Sequence, residues 1–571
     1  MILQALCQLY GDLVSRGEIS PPGWSPCKVG HALCLDSGGN VTQIVPLTDV
    51  TEKGDKKTQV NRTMILPAAV KRTVGVAPNF LFDNSGYIFG VDGKGKPKRS
   101  RECFDACAKL HNKLLDGIDA EEARAIKAFF EKWDPERSDE NEAFASAKEE
   151  LLKGGNIVFR INGVFAQDVP EIARVWQDHY DGAEGERIRC LVTGEEDALE
   201  SVHPAIKGVI GAQSSGAAIV SFNAPAFSSF GKLQGANAPV GKKAAFAYTA
   251  ALNRLLADRE NVAHIGDATV VCWAKGGAPQ YRGFSRAALF GGDVPEGMTQ
   301  DDLRASVKRL ADGLPCKEFG LEPGTEFYIL GLSPNAARLS VRFFLCSSFG
   351  ELMKNVNAHH ERLEIKGQKY PLTPLWALLK ETVNPNSKDK SPSPVLAGSA
   401  ARAVFSGSPY PAALMEATQL RIRAERDITP GKAAIIKAYY LKNENPKCPK
   451  EVLQVSLNEN SANAPYVMGR LFAVYESVQQ SANPGINATV RDKYFNSAAA
   501  TPAVVFSVMN NLYQKHLRKL DAGLRVYYEK QVGELMGVLG ETLPARLSLP
   551  EQASFQLGYY HQKQKRFEKK K

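Results

Sequence analysis

The chain is 571 residues long, 44% hydrophobic and 23% charged, with 71 Lys+Arg against 62 Asp+Glu and a formal net charge of +9. That length predicts two to four globular units, and that composition excludes a disordered chain. The best apolar stretch, 244–257, is broken by Thr249, Asn253 and Arg254, short of the ~20 residues a spanning helix needs. Asp12 interrupts the first apolar run, against a secretory signal, and ten scattered cysteines suit reduced thiols. A membrane protein and a secreted scaffold are excluded; a cytoplasmic protein is expected.

In chain order, short apolar or alternating runs predict strands at residues 87–91, 157–161, 218–222, 269–273, 326–330 and 339–344. Stretches of 3.6 periodicity predict helices at 101–115, 120–133 and 244–256. The Pro/Ser-rich segment 383–394 predicts a surface loop. Past residue 445 the pattern changes. Val467, Leu471, Val474 and Val478, then Phe506, Met509, Tyr513 and Leu517, then Tyr528, Val532, Leu535 and Leu539 recur at spacings of three and four, the pattern of a helical bundle. The expected fold is multidomain α+β. A large mixed α/β region spans 1–445 and an all-α bundle spans 446–571, with the boundary near residues 443–449. Arg470, Lys515, Arg518 and Lys519 are expected on the polar faces of the bundle.

Charge is segregated. Residues 56–101 hold ten Lys/Arg and two Asp/Glu, including Lys71, Arg72, Lys94, Lys96, Lys98 and Arg99, and the last 21 residues hold six basic and two acidic. Residues 131–150 and 168–197 are net −5 and −6. A positive surface of this kind attracts polyanions.

Catalytic motifs fail on chemistry. None of the nine histidines precedes an Asp, as a His-Asp metal site requires. His360 has Glu364, not His, four residues on, so the His359-His360-Glu361 run reads as a surface or capping cluster. Cys103 and Cys107 lack a second ligand pair and read as buried on an amphipathic helix. Gly235 to Gly241 is one residue too long for a phosphate-binding loop, and Lys243 stands where a Mg²⁺-binding hydroxyl belongs. Gly211 and Gly216 do not frame a nucleophile. No catalytic residue, metal ligand or cofactor is expected.

Polar groups gather elsewhere. Lys207, Gly208, Gly211, Gln213, Ser214, Ser215 and Gly216 are followed by Asn223, Lys232, Gln234, Asn237, Lys242 and Lys243. Glycines admit close backbone approach, amides address base edges and lysines neutralise phosphate; a turn-rich connection is the plainer alternative. Asn79 and Asn84 alternate with Phe80 and Phe82, which read as core or as stacking groups.

These same blocks carry a family resemblance. Asn79 to Asn84 with Tyr87, Gly90 and Asp92 form one. His203 to Gly216, running on through Asn223, Gln234, Asn237 and Thr249, form the most specific. Asn335, Arg338 and Arg342 follow, then Arg421, Arg423 and Lys437, then Gly469, Arg470, Arg491 and Pro502. The chain resembles, over essentially its whole length, the large subunit of the type I-C CRISPR Cascade complex (the Csd-type protein). The resemblance implies a prokaryotic RNA-guided surveillance complex. Its partners are the 5′ handle of the guide RNA, target double-stranded DNA, backbone subunits, a handle-binding/processing subunit, a small subunit and a helicase-nuclease, with no membrane. It implies recognition of a protospacer-adjacent motif, duplex opening, stabilisation of the displaced strand and docking of the nuclease. It also implies that the C-terminal helices resemble a separate small subunit, with Met415, Met468, Val452 or Val455 as internal starts.

Motif reading is accordingly expected of Gln213, Ser214, Ser215, Gln234 and Asn237, with Asn79 and Asn84 as second candidates. Phosphate contact is expected of Lys71, Arg72, Lys94, Lys96, Lys98, Arg99, Lys207, Lys232, Lys242, Lys243, Arg470, Lys515, Arg518 and Lys519. Arg338 and Arg342 are expected either on phosphates or in structural ion pairs. The rivals are a stand-alone metal-dependent nuclease using Asp83, Asp92 or other dispersed carboxylates, and a purely architectural subunit.

Overall fold

The structure is a computed structural model describing residues 1–53, 56–70, 75–93, 95–182, 186–370 and 372–567. It divides into two compact units, essentially Leu3–Pro204 with Phe222–Ala251, and Ala205–Ser221 with Leu252–Lys571. Lys71, Arg72 and Lys94 lie outside the described residues.

The first unit begins with α1 (Ile2–Ser15), then β1 (Trp24–Leu35), β2 (Val41–Pro46), β3 (Thr48–Lys53), β4 (Lys56–Pro67) and β5 (Phe82–Asp83). Next come α2 (Ser85–Ile88), α3 (Pro97–Leu114), α4 (Glu121–Lys132) and α5 (Glu142–Leu152), then β6 (Asn156–Ile161), β7 (Val164–Phe165) and α6 (Pro170–Asp181). A small ladder of β8 (Arg187–Arg189) and β9 (Glu196–Ala198) precedes α7 (Lys242–Ala257), whose residues from Leu252 on belong to the second unit. The main sheet runs β3-β4-β1-β6-β5, with β2 also on β1 and β7 on β6. β1 is antiparallel to β4 but parallel to β6, and the long connection that a parallel pair requires runs from β2 through α5. Ile157, Val158, Phe159 and Ile161 of β6 are all buried, the mark of a strand covered on both faces. Phe159 meets Phe129 and Phe130 of α4 at 6.0 and 5.8 Å.

The second unit builds an antiparallel sheet from β10 (Val262–Ile265), β11 (Ala268–Ala274), β12 (Glu326–Asn335) and β13 (Arg338–Ser348), in chain order. Between β11 and β12 stand α8 (Tyr281–Phe290) and α9 (Gln300–Ala311). Among the described residues after Ser348 the regular elements are helices: α10 (Phe349–Leu363), α11 (Leu375–Lys380), α12 (Pro394–Ser406), α13 (Ala412–Glu425), α14 (Pro430–Asn443), α15 (Ala464–Ala482), α16 (Val490–Ala500), α17 (Pro502–Leu517), α18 (Ala522–Leu539) and α19 (Leu549–Lys565). The fold is α+β and multidomain, mixed sheets first and helices last. One apolar core runs from Ile265 to Tyr560 and passes through Tyr440, Cys448 and Val452, so packing is continuous across residues 443–449. Among the described residues no helix is long and apolar enough to cross a membrane.

Three local expectations are corrected. Residues 85–88 form α2, not a strand, because the Asn84 side chain accepts from Gly86 N–H and caps a helical turn. Residues 218–222 hold no strand; Ala217 and Ala218 make isolated bridges to Ile206 and Arg338. His359 is not a surface residue: it is buried, with Nδ1 2.6 Å from Tyr410 Oη. Burial also lowers His360, to about 4.

Candidate nucleic-acid interface

In the second unit the glycine-rich segment is a loop closed at its base. Ile206 and Ala217 exchange backbone hydrogen bonds of 2.8 and 2.9 Å. Asn253 of α7 accepts Lys207 N–H at 2.8 Å and donates to the Ala205 carbonyl at 3.1 Å. Ile210 N–H donates to Thr269 Oγ1 of β11 at 3.1 Å. Beyond Gly216, Ala218 is held between Ala337 and Leu339 by hydrogen bonds of 3.1 and 2.9 Å. Gly216 is required where it stands: φ is +98°, and a Cβ there would lie 2.8 Å from Ala205 Cβ. The result is a pinned loop whose tip exposes Gln213, Ser214 and Ser215, with Lys207 exposed at its base.

The first unit carries a second loop between Phe222 and α7. Asn237 braces it: Oδ1 accepts Ser229 N–H at 2.8 Å, and Nδ2 donates to the carbonyls of Lys232 and Gln234 at 3.1 and 3.0 Å. Its amide protons are thereby used within the fold, not offered to a base edge. The brace holds Phe230, Gly231 and Gln234 at φ of +53°, +70° and +43°. For Phe230 and Gln234 the left-handed region costs about 1–2 kcal/mol each. Phe230 is 100% exposed and Leu233 75%, and Lys232 and Gln234 are exposed beside them. Sequence reasoning passed over Phe230. Its signal was an aromatic set among Ser228, Ser229, Gly231 and Lys232. At the entry to α7, Lys243 N–H donates to Asp197 Oδ2 at 2.9 Å and its Nζ pairs with Asp181 at 3.1 Å. Lys242 is half-buried and acts on Glu200. Residues 201–257 contain five Lys/Arg and no Asp or Glu, so nothing acidic in that stretch opposes a polyanion.

The 79–84 block belongs to the core. Asn79 is buried and its Oδ1 accepts Val70 N–H at 2.9 Å. Asp83 is buried, with its carboxylate accepting the N–H groups of Asn79 and Asn84 at 2.9 Å each. Phe80 stacks on Trp176 at 5.6 Å, and Phe82 is buried. The side-chain oxygens of Asn79 and Asn84 are thus spent on the backbone N–H groups of Val70 and Gly86. Asp83 likewise organises a turn, while Asp92 borders a cleft beside α3.

The model of one protein family, CRISPR-associated protein (Cas_Csd1), matches residues 6–567. The chain belongs to the Csd1 family. No curated protein matches it. Family membership makes this Csd1 chain a CRISPR-associated Cascade subunit, in keeping with the resemblance its sequence carries.

Elsewhere in the Csd1 chain the cations divide into buried and exposed. Arg470 is only 9% exposed: Nε donates to Gln562 Oε1 at 3.1 Å and Nη1 to the Glu459 carbonyl at 2.9 Å. The expectation that it projects from a polar face is corrected; it ties α15 to α19. Lys515, Arg518 and Lys519, at the end of α17, are exposed, and Lys519 reaches Asn483 Oδ1 at 3.2 Å. Arg342 pairs with Asp267 at 2.9 Å, the structural alternative foreseen for it; Arg338 begins β13 and is half-buried. Lys96, Lys98 and Arg99 are exposed at the start of α3. Cys103 and Cys107 are buried on α3. Among the described residues no three His, Cys, Asp or Glu side chains are grouped to hold a metal ion.

Proposed function

We propose that this Csd1 chain is the non-catalytic large subunit of a type I-C Cascade complex in a prokaryotic cytoplasm. It reads the protospacer-adjacent motif on duplex DNA, promotes R-loop formation, stabilises the displaced strand and docks the helicase-nuclease. The observation that carries this reading is the pinned 206–217 loop, which exposes two hydroxyls and an amide from a rigid base. Gln213, with Ser214 and Ser215, addresses base edges; Gln234 assists, and Asn237 is the brace that shapes its loop. Lys207, Lys232 and Lys242 meet phosphates. Phe230, an exposed ring on a braced turn, is the apolar group suited to enter a base step as the duplex opens. Lys515, Arg518 and Lys519 line a strand, and the helices after residue 446 act as a small-subunit-like module. Guide RNA, backbone subunits and the handle-binding subunit are the remaining partners.

The test is binding of the assembled guide complex, with and without this chain, to matched duplexes differing only in the flanking motif, across a salt titration and without helicase-nuclease. Motif-selective binding that needs the chain supports the reading, and Gln213→Ala then costs ~1–3 kcal/mol on the cognate motif alone. Phe230→Ala slows opening by a stacking loss of ~1–3 kcal/mol while Phe230→Trp restores it. Binding indifferent to the motif favours a purely architectural subunit; Mg²⁺-dependent cleavage by the chain alone favours a nuclease.

A further inference from the structure

Trp376 differs from the other tryptophans of the chain. Trp24, Trp176 and Trp273 are buried, and the half-buried Trp133 donates its indole N–H to the Phe89 carbonyl at 3.0 Å. Trp376 is 46% exposed. On α11 it lies four residues from the exposed Lys380, and so on the same face, while Leu375, Leu378 and Leu379 enter the core. A single exposed ring is ordinary; what surrounds this one is not.

Tyr370 meets Trp376 edge-on, with ring centroids 6.2 Å apart and planes at 67°. Lys369 Nζ lies 5.2 Å from the Tyr370 centroid. The loop that sets this corner is braced by its own side chains and by distant ones. Gln368 accepts Ile365 N–H at 3.3 Å and donates to the Tyr370 carbonyl and to Thr373 Oγ1 at 2.6 Å each. Lys366 N–H donates to the Val455 carbonyl at 2.8 Å, and the Lys366 carbonyl accepts the Tyr560 hydroxyl at 2.5 Å. Two rings at a steep angle on a braced loop form a corner for a flat group, and little ordering remains for a ligand to impose.

Charge selects the ligand. Residues 365–380 hold three lysines, Lys366, Lys369 and Lys380, all exposed, and no acid. Glu364 and Glu381 bound the stretch. Glu381 accepts the Thr429 hydroxyl at 2.7 Å, and Glu364 acts on the buried Lys437. On the neighbouring turn Gly291 lies beside the Trp376 indole, and Asp293 follows two residues on. With Asp293 counted, cations still outnumber it three to one. A flat ring tethered to negative charge is a nucleotide, whereas a neutral proline-rich peptide gains nothing from the lysines.

We propose that Trp376 and Tyr370 form a stacking site for one base of a single-stranded nucleic acid, with Lys369 and Lys380 on the adjoining phosphates. The site selects unpaired bases over paired ones and not one base over another, since every base has a face to stack. It rests on the nucleic-acid reading above but not on motif recognition.

The test places 5-iodouracil at each position in turn of the guide RNA, the target strand and the displaced strand, and irradiates the assembled complex. Cross-linked peptides are identified by mass spectrometry, with wild-type chain, Trp376→Ala, Trp376→Phe, Tyr370→Ala, or Lys369→Gln together with Lys380→Gln. The expected result is one short run of nucleotides that cross-links to Trp376 or Tyr370, and the strand that carries it says whether the base is RNA or DNA. Affinity for that strand falls about tenfold in Trp376→Ala and recovers in Trp376→Phe, with the salt dependence unchanged. The lysine pair instead lowers the salt slope by about 1. No cross-link to either ring at any position overturns the proposal. So does release of a protein subunit from the Trp376→Ala complex, seen by native mass spectrometry, without a cross-link to either ring; the corner is then a protein contact. Motif selectivity is scored on the same duplexes. Its loss with the ring cross-link retained defeats the motif-reading function and leaves the stacking site standing.

Discussion

His111 has no exposed surface and lies among Phe80, Phe130 and Phe159 at 5.2, 5.0 and 5.7 Å. Its Nδ1 is 2.8 Å from the Cys107 carbonyl, which only accepts, so Nδ1 carries the proton and Nε2 is free to accept Leu81 N–H at 2.9 Å. That bond holds Leu81 at φ +65°, next to Phe82 of β5. Burial lowers the His111 pKa to about 4, against about 6.5 in an unfolded chain. The unfolded state therefore binds the extra proton first. The stability is fully present above pH ~6.5 and is lost as pH falls towards ~4, on the order of 2–3 kcal/mol. His111→Ala is expected to cost about 2–4 kcal/mol at pH 7.5. It should also flatten, without abolishing, the loss between pH 7.5 and 5, because burial lowers His203 and His561 to about 4 as well. Denaturant titrations at the two pH values measure this; an unchanged slope rejects it.

At the scale of elements, the α15–α19 contact organises the helical part. Gly469 and Gly558 bring the two backbones together: a Cβ on Gly469 would stand 1.9 Å from the Phe555 carbonyl oxygen, and one on Gly558 2.0 Å from that of Tyr466. Around this crossing Tyr559 donates to Glu476 at 2.6 Å, and Tyr466 Oη meets His561 Nδ1 at 2.9 Å. Neither helix can yield without moving a buried backbone, so Gly469→Ala or Gly558→Ala is expected to destabilise by about 3 kcal/mol. A thermal melt of each variant, set beside the exposed Gly533→Ala, checks it; Gly533 has nothing within 4 Å of its Cβ position. Equal melting of all three contradicts the crossing.

For the molecule as a whole, the helical module proposed after residue 446 is bound into the larger core of its unit. Gln419 of α13 and Gln556 of α19 exchange two hydrogen bonds of 2.7 Å, and Tyr560 donates to the Lys366 carbonyl at 2.5 Å. A separately made C-terminal product loses these contacts. Its start decides whether it folds. Asn463 caps α15 by accepting Tyr466 N–H at 3.1 Å, and Arg470 needs the carbonyls of Asn458 and Glu459. Products beginning at residue 452 or 455 keep both features; one beginning at Met468, inside α15, loses them. The difference is expected to be on the order of 3–5 kcal/mol, from a lost cap and a buried guanidinium left short of partners. Circular-dichroism melts of 455–571 and 468–571 should show a cooperative transition only in the former.

Periodicity marked α3, α4, α7, α15, α17 and α18 and left α1, α5, α6, α8 to α14 and α16 unread. The stripes through Val467, Phe506 and Tyr528 lie on α15, α17 and α18, and the apolar run at 157–161 is β6, because one buried stripe or one doubly buried strand prints directly on sequence. It did not carry α19. Gln552, Ser554, Gln556, His561 and Gln562 are buried there among the apolar residues, and these polar side chains break the apolar pattern that α15, itself buried all round from Tyr466 to Val478, still shows. The exposed loop tips, Gln213 among them, were legible as glycine- and amide-rich segments. Side-chain direction was not: Asn79, Asn84, Asn237 and Arg470 look like ligand groups in one dimension and serve backbone or core in three. The residues alone determined the family, the fold class and the basic segments, since these follow from local order and composition. Tertiary structure alone decided which polar groups still had hydrogen bonds to offer, because partners such as Gln562 for Arg470 or Thr269 for Ile210 come from distant points of the chain.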